Sequence, residues 1–260
     1  MMRRLAPLDS ITEDSIDHIY QRRIETLLSI DRHVQQFVTL LDELGRLDNT
    51  YIIYTSDNGF QLGQHRISSD KRQLYEHDIR VPLVVRGPGV AKHATIDAAV
   101  LNIDLAPTIT EIATGVSPPH MDGESFLPLF RDVETRWRLD FLVSYHGEAD
   151  PACGMLTCPP PVPSNYHGGD AFNNTYHCVR TMFAGSTIDD ARADHSIYCR
   201  FDDDEQFVEY YNLTTDPWQL HNSAKDLTPD EIFAYEARLT QLTRCRGATC
   251  RRTVDRSGGR

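Results

Sequence analysis

Apolar residues in the first part of the chain recur at helical spacing. Ile16, Ile19, Ile24, Leu27, Leu28, Val34, Phe37, Val38, Leu41 and Leu44 fall three and four positions apart with charges between them, which predicts a long amphipathic helix over residues 14–45 packing one face on another element. Gly45 and the following "RLDNT" stop it. The pattern then shortens to "YIIYTS" and, thirty residues on, "VPLVVRG", compact β-rich runs of the kind buried in a parallel sheet, the second closed by Gly87-Pro88-Gly89. "IDLAPTITEIATG" predicts a further helix, with Asp104 as N-cap and Gly115 as stop. Helix, strand, loop, strand and helix imply α/β layering.

Beyond "PACGMLTCPPPVPSNYHGG", whose prolines and glycines mark a boundary, the pattern becomes strand-like in "TYHCVRTMF", "HSIYCRF" and "QFVEYYNL". These predict an antiparallel sheet. A periodic stretch from Pro229 to Leu242, entered after Thr228, predicts a helix covering one face. The expected organisation is an α/β domain over residues 1–150 and a small α+β domain over residues 151–260.

All six cysteines lie in the second part: Cys153, Cys158, Cys178, Cys199, Cys245 and Cys250. With the sequons at Asn173 and Asn212, this usage points to an oxidising compartment and a glycosylated surface. Zinc is the competing use of a C-x4-C pair. Six cysteines allow fifteen pairings; Cys245 with Cys250, and Cys178 with Cys199 across neighbouring strands, are the pairs expected.

Charge narrows the partners. A net charge of -12, with 26 Lys and Arg against 38 Asp and Glu, excludes nucleic acid as a general partner, because phosphate binding is mainly neutralisation by basic side chains. Any anion site must be local. No run is apolar enough for a transmembrane segment, and "MMRRLAPLDSITEDS" lacks the apolar stretch of a signal peptide, so the secretory features lead us to expect a missing N-terminal part.

The chemistry concentrates in "YIIYTSDNGFQLGQHRISSDKRQLYE". Ligands of open α/β sheets bind beyond the carboxyl ends of strands, and Asp57-Asn58-Gly59 stands where the apolar run ends. A carboxylate beside an amide carbonyl offers hard oxygens suited to Ca²⁺ or Mg²⁺. Lys71 can reach an anionic oxygen near such an ion. His65 is a candidate donor to the same anion or an acid, while Tyr75 and Glu76 are expected to pack and fix the loop. Asp-Asn-Gly is also an ordinary turn sequence, and these residues alone describe a hard metal and an anion without a nucleophile.

Four blocks in order, "YTSDNGFQLGQHR", "DKRQLYEHDIRVPLVVRGPG", "NIDLAPTITEIA" and "MDGESFLPLF", resemble the sulfatase family. "AFNNTYHCVRTM", "FVEYYNLTTDPWQL" and "CRGATCRR" extend the likeness toward those members that remove the 6-O-sulfate of N-acetylglucosamine in heparan or keratan sulfate. The resemblance implies the C-terminal part of an alkaline-phosphatase-like parallel-sheet core, followed by the small α+β domain with its antiparallel sheet and C-terminal helix. It also implies a lysosomal or secreted hydrolase of sulfated glycosaminoglycan oligosaccharides. Asp57 and Asn58 match a pair of Ca²⁺ ligands, Lys71 matches a sulfate-holding lysine, and His65 falls in a loop that varies among members. The formylglycine nucleophile comes from a C-x-P-S-R motif that this sequence lacks, since Cys158 runs on as Pro159-Pro160-Pro161-Val162. It is therefore expected from an N-terminal half of the same sulfatase, the partner expected for a chain whose lone core would expose apolar surface and aggregate.

Two other functions fit the same residues. One is a catalytically inactive protein binding sulfated glycans or partners; the other is an extracellular heparan endosulfatase, which usually carries a long basic insertion absent here. A phosphatase or phosphodiesterase would want more His and Asp metal ligands.

Overall fold

The computed structural model describes residues 7–131, 137–147, 174–182 and 195–250. They form two compact units, one taking in the described residues up to Val90 and the other those from Ala91 onward. Cys153, Cys158 and Asn173 lie outside the described residues.

Helix α1, Ser10–Glu43, opens the first unit. Asp9 caps it by accepting from Thr12 N at 2.8 Å, and the chain leaves through Gly45, whose φ of 63° a side chain would disfavour. Most of its apolar residues stay exposed, with Leu28 at 60% and Phe37 at 65%, so much of the packing expected of this face is not made among the described residues; Ile16, beside Gly63, Val38 and Leu41 are partly covered. Strand β1, Ile52–Tyr54, pairs with β2, Val84–Arg86, placing Ile53 opposite Val85.

That pairing is antiparallel, which corrects the parallel arrangement expected for these two runs. A parallel neighbour needs a crossover that carries the chain back along the sheet, usually a helix. Residues 55–83 contain only short turns and the four-residue helix α2, Glu76–Ile79, and they fold back on themselves through a bridge between Gln61 and Asp70. The second strand consequently enters from the opposite end.

The second unit begins with α3, Leu105–Thr114, ended at Gly115 as expected. Asp104 precedes it, but its carboxylate makes no cap bond. It is fully buried and accepts from Leu101 N and Glu124 N, both at 2.8 Å, and from Arg138 at 2.7 and 2.8 Å. Four strands, β3 (Asp140–Tyr145), β4 (Tyr176–Thr181), β5 (Ser196–Phe201) and β6 (Val208–Asn212), then form one antiparallel sheet in sequence order. The last three coincide with the expected strand-like runs. β3 was not among them, and it forms the edge beside β4.

Helix α4, Pro229–Arg244, covers this sheet. Thr228 and Glu231 form a reciprocal capping box at its start. Leu239 and Leu242 bury against Val179, with Leu142 and Tyr235 packed around them. Polar contacts fix the helix as well: Arg238 grips Asp140 at 2.6 and 2.9 Å, and Glu236 accepts from Tyr198 Oη at 2.7 Å and Arg200 at 2.6 Å. Burial and that carboxylate push the Tyr198 phenol up, which keeps it a donor. Disulfides join Cys178 to Cys199, directly opposed on β4 and β5, and Cys245 to Cys250 beyond α4, the two pairs expected. Asn212 ends β6 with its side-chain oxygen accepting from Thr214 N at 2.9 Å.

Candidate functional site

Asp57, Asn58 and Lys71 all belong to the first unit, in a loop that leaves β1 and returns to β2. The turn is knitted by its own polar groups. Asp57 Oδ1 accepts from Asn58 N at 3.0 Å, and Ser56 Oγ donates to Asn58 O at 2.9 Å. Asn58 Nδ2 donates to Gly59 O at 2.8 Å, so the amide end engaged there is the donor, and Oδ1 is the end a cation would use. Asp57 is exposed.

Gly59 is required by space. A Cβ built there would lie 1.8 Å from His77 O, because Gly59 N donates to Asp78 O at 2.7 Å and Phe60 N to His77 O at 2.9 Å. The turn is thus tied to the far end of the loop. Gln61 N then donates to Asp70 O at 2.7 Å, which brings the residue before Lys71 beside the turn. Lys71 itself is exposed, with its main-chain N held by Asp70 Oδ1 at 2.7 Å.

His65 sits in the same loop, stacked on buried Tyr75 with centroids 3.9 Å apart and edge-on to His77 at 6.0 Å. Both His65 and Arg66 have left-handed backbones, φ 54° and 63°, a local cost of about 1 kcal/mol or more each that the surrounding contacts sustain. Tyr75 packs, as expected.

Sequence reasoning missed two buried acids of this loop. Asp70 and Asp78 are 6% and 4% exposed. Desolvation pushes the Asp78 carboxyl from 3.8 up to about 7, and nearby Asp70 adds to the rise, while the bond from Gln73 N opposes it. His77 is lowered by burial against the pull of Glu76. The signal available in sequence was an acid on either side of the apolar pair Leu74-Tyr75.

The raised carboxyl has a stability consequence. Between its unfolded and folded values the native loop holds a proton that the unfolded chain has released, so its contribution is full below about 4 and is lost as pH rises through about 7. Going from about pH 7 to about pH 5 should add about 2 kcal/mol. His77 works in the opposite sense, losing stability as pH falls below 6.5. Asp78→Asn should remove the gain. Amide exchange at Gly59, Phe60 and Gln61 at the two pH values checks it; protection in the native protein that falls relative to the variant on acidification contradicts it.

Two oxygen-bearing side chains fall short of the six to eight oxygens of a Ca²⁺ sphere, and the described residues hold no group of three or more His, Cys, Asp or Glu arranged for a metal. Asp57 and Asn58 fit a hard cation as part of such a sphere. The other ligands of such a sphere would have to come from elsewhere.

A family model described as Sulfatase matches residues 6–116. N-acetylglucosamine-6-sulfatase of Capra hircus is 45% identical over 256 residues, covering 94% of this chain and 44% of its own length. The extracellular sulfatase SULF-1 homolog of Drosophila melanogaster is 38% identical over 156 residues, 58% of this chain and 14% of that one. Among solved structures, BT4656 in complex with its substrate D-glucosamine-2-N,6-O-disulfate superposes with a TM-score of 0.60 at 27% identity, over 84% of this chain and 38% of that one. The chain therefore spans less than half the length of these relatives. The structural likeness gives it the alkaline-phosphatase-like α/β class expected from the sequence, and the correction stays confined to the direction in which β1 and β2 pair.

Proposed function

Because the chain belongs to the sulfatase family, we propose that it is the C-terminal part of a sulfuric ester hydrolase that removes the 6-O-sulfate of N-acetylglucosamine in glycosaminoglycans. The observation that carries this reading is the closed loop that holds the Asp57-Asn58 turn and Lys71 together, in a chain 45% identical to an N-acetylglucosamine-6-sulfatase. Asp57 and Asn58 offer hard oxygens to Ca²⁺, and Lys71 offers its ammonium to a sulfate oxygen. Ca²⁺ and a formylglycine contributed from outside this sequence would supply the Lewis acid and the nucleophile. This chain's residues bind and orient the sulfate, and they offset the negative charge that shifts onto oxygen as the S–O bond breaks.

The same reading gives the partners as a sulfated oligosaccharide and the N-terminal part of the enzyme. Location in the lysosome or outside the cell is supported by the two disulfides and by the extracellular relative. Among the described residues no helix is long and apolar enough to cross a membrane.

Assaying the holoenzyme on oligosaccharides with 6-sulfated N-acetylglucosamine at the non-reducing end, and on heparan sulfate carrying only internal 6-sulfates, tests the proposal. Release from the first alone is the expected result. Cleavage of internal sulfates would move the function to an endosulfatase, and binding without turnover would move it to a glycan-binding protein. Asp57→Ala should weaken Ca²⁺ binding, read by calorimetry, by at least about tenfold, since even outer-shell partners of metal ligands cost that much. Unchanged affinity would remove Asp57 from the cation site.

A further inference from the structure

An exposed lysine on a loop searches widely, and the separation between the Asp57-Asn58 turn and Lys71 has to be set by something other than the chain between them. The hydrogen bonds of the loop form a closed circuit that does this. Gly59 N donates to Asp78 O at 2.7 Å; Asp78 Oδ2 accepts from Gln73 N at 2.7 Å. Gln73 Nε2 donates to Asp70 Oδ2 at 3.1 Å, and Asp70 Oδ1 accepts from Lys71 N at 2.7 Å and from Arg72 at 3.1 Å. Gln61 N donates to Asp70 O at 2.7 Å, which returns the path to the turn. Asp70, Asp78 and Gln61 are nearly or fully buried, with Leu74 and Tyr75 closing the interior at 1% and 2% exposure.

We infer that Asp70, Gln73 and Asp78 are positioning residues that fix Lys71 relative to the Asp57-Asn58 turn. Gln73 is the shared strut, joining one carboxylate through its main chain and the other through its side chain. The inference rests on the sulfatase reading above and deepens it: the cation-binding turn and the sulfate-binding lysine are held at a fixed separation by buried acids of the loop.

The test exploits donor and acceptor complementarity in the holoenzyme. Gln73→Glu sets an acceptor against the Asp70 carboxylate, whereas Asp70→Asn keeps an acceptor for Lys71 N and can donate its amide to Gln73 Oε1 once that side chain turns over. Together, Asn at 70 can donate to Glu at 73. Gln73→Glu alone should lower kcat about tenfold, as a displacement of an ångström or less can, and Asp70→Asn alone about threefold. The double variant should recover to within about threefold of the native enzyme. Amide exchange at Lys71 and Gly59 should rise in Gln73→Glu and fall back in the double. Gln73→Ala, which keeps the main-chain bond, is the variant to use if a charged single fails to fold, with an expected loss of about threefold. All variants staying within about twofold of an active native enzyme, with only the unfolding midpoint moved, overturns the positioning role alone. A native holoenzyme that hydrolyses no sulfate ester overturns the function and this inference together.

Discussion

Lys71→Ala is expected to lower kcat/KM on a 6-sulfated N-acetylglucosamine substrate by about 10²- to 10³-fold, the loss typical when one donor to a developing anion is removed. The ammonium is exposed, while its backbone is anchored at Asp70, so the variant deletes a charge without opening the loop. Lys71→Arg should recover only part of the rate, because a planar guanidinium cannot occupy the position of a compact ammonium. Steady-state rates of the two variants decide the matter. A loss below about threefold for the alanine variant would take Lys71 out of sulfate binding, whatever the fate of the rest of the proposal.

Asp104→Ala should destabilise the second unit by about 3–5 kcal/mol, the cost of leaving a buried charge unpaired. Asp104 is fully buried and Arg138 is 6% exposed, so the guanidinium would lose both bonds with little water to replace them. Leu101 N and Glu124 N would lose their acceptor as well. The face of Trp137, 5.1 Å from the guanidinium, offers weak compensation. Removing both partners, as Asp104→Leu with Arg138→Met, should cost less than the single change. Urea unfolding of the three proteins measures this, and a single-variant loss under about 1 kcal/mol would mean that water reaches the pair.

Much of this was legible in the sequence, for local reasons. The end of the apolar run at Asp57-Asn58-Gly59, the stops at Gly45 and Gly115, and the start of α4 at Thr228 each depend on one or two residues and their immediate neighbours. What failed depended on distant partners. Asp104 stands at the N-cap of α3 as expected, yet its carboxylate makes no cap bond and is engaged instead by Arg138, 34 positions on. The direction of β1 against β2 depends on how residues 55–83 fold between them. β3 carries few β-branched residues, and its membership of the sheet is decided by β4. In the candidate site, Asp57, Asn58 and Lys71 were named from residue type alone. Asp70 and Asp78 could not be, because a buried acid looks like a surface acid until its surroundings are known.

The bond between Cys178 and Cys199 has a consequence for how this domain can change. A slip of one residue between neighbouring strands would turn every side chain of β4 to the wrong face. With the two cysteines directly opposed, such a slip is covalently blocked. The alignment of the two strands is thereby set by a bond between the strands themselves. Substitutions elsewhere on β4 and β5 can therefore accumulate over evolutionary time while the strands keep their partners.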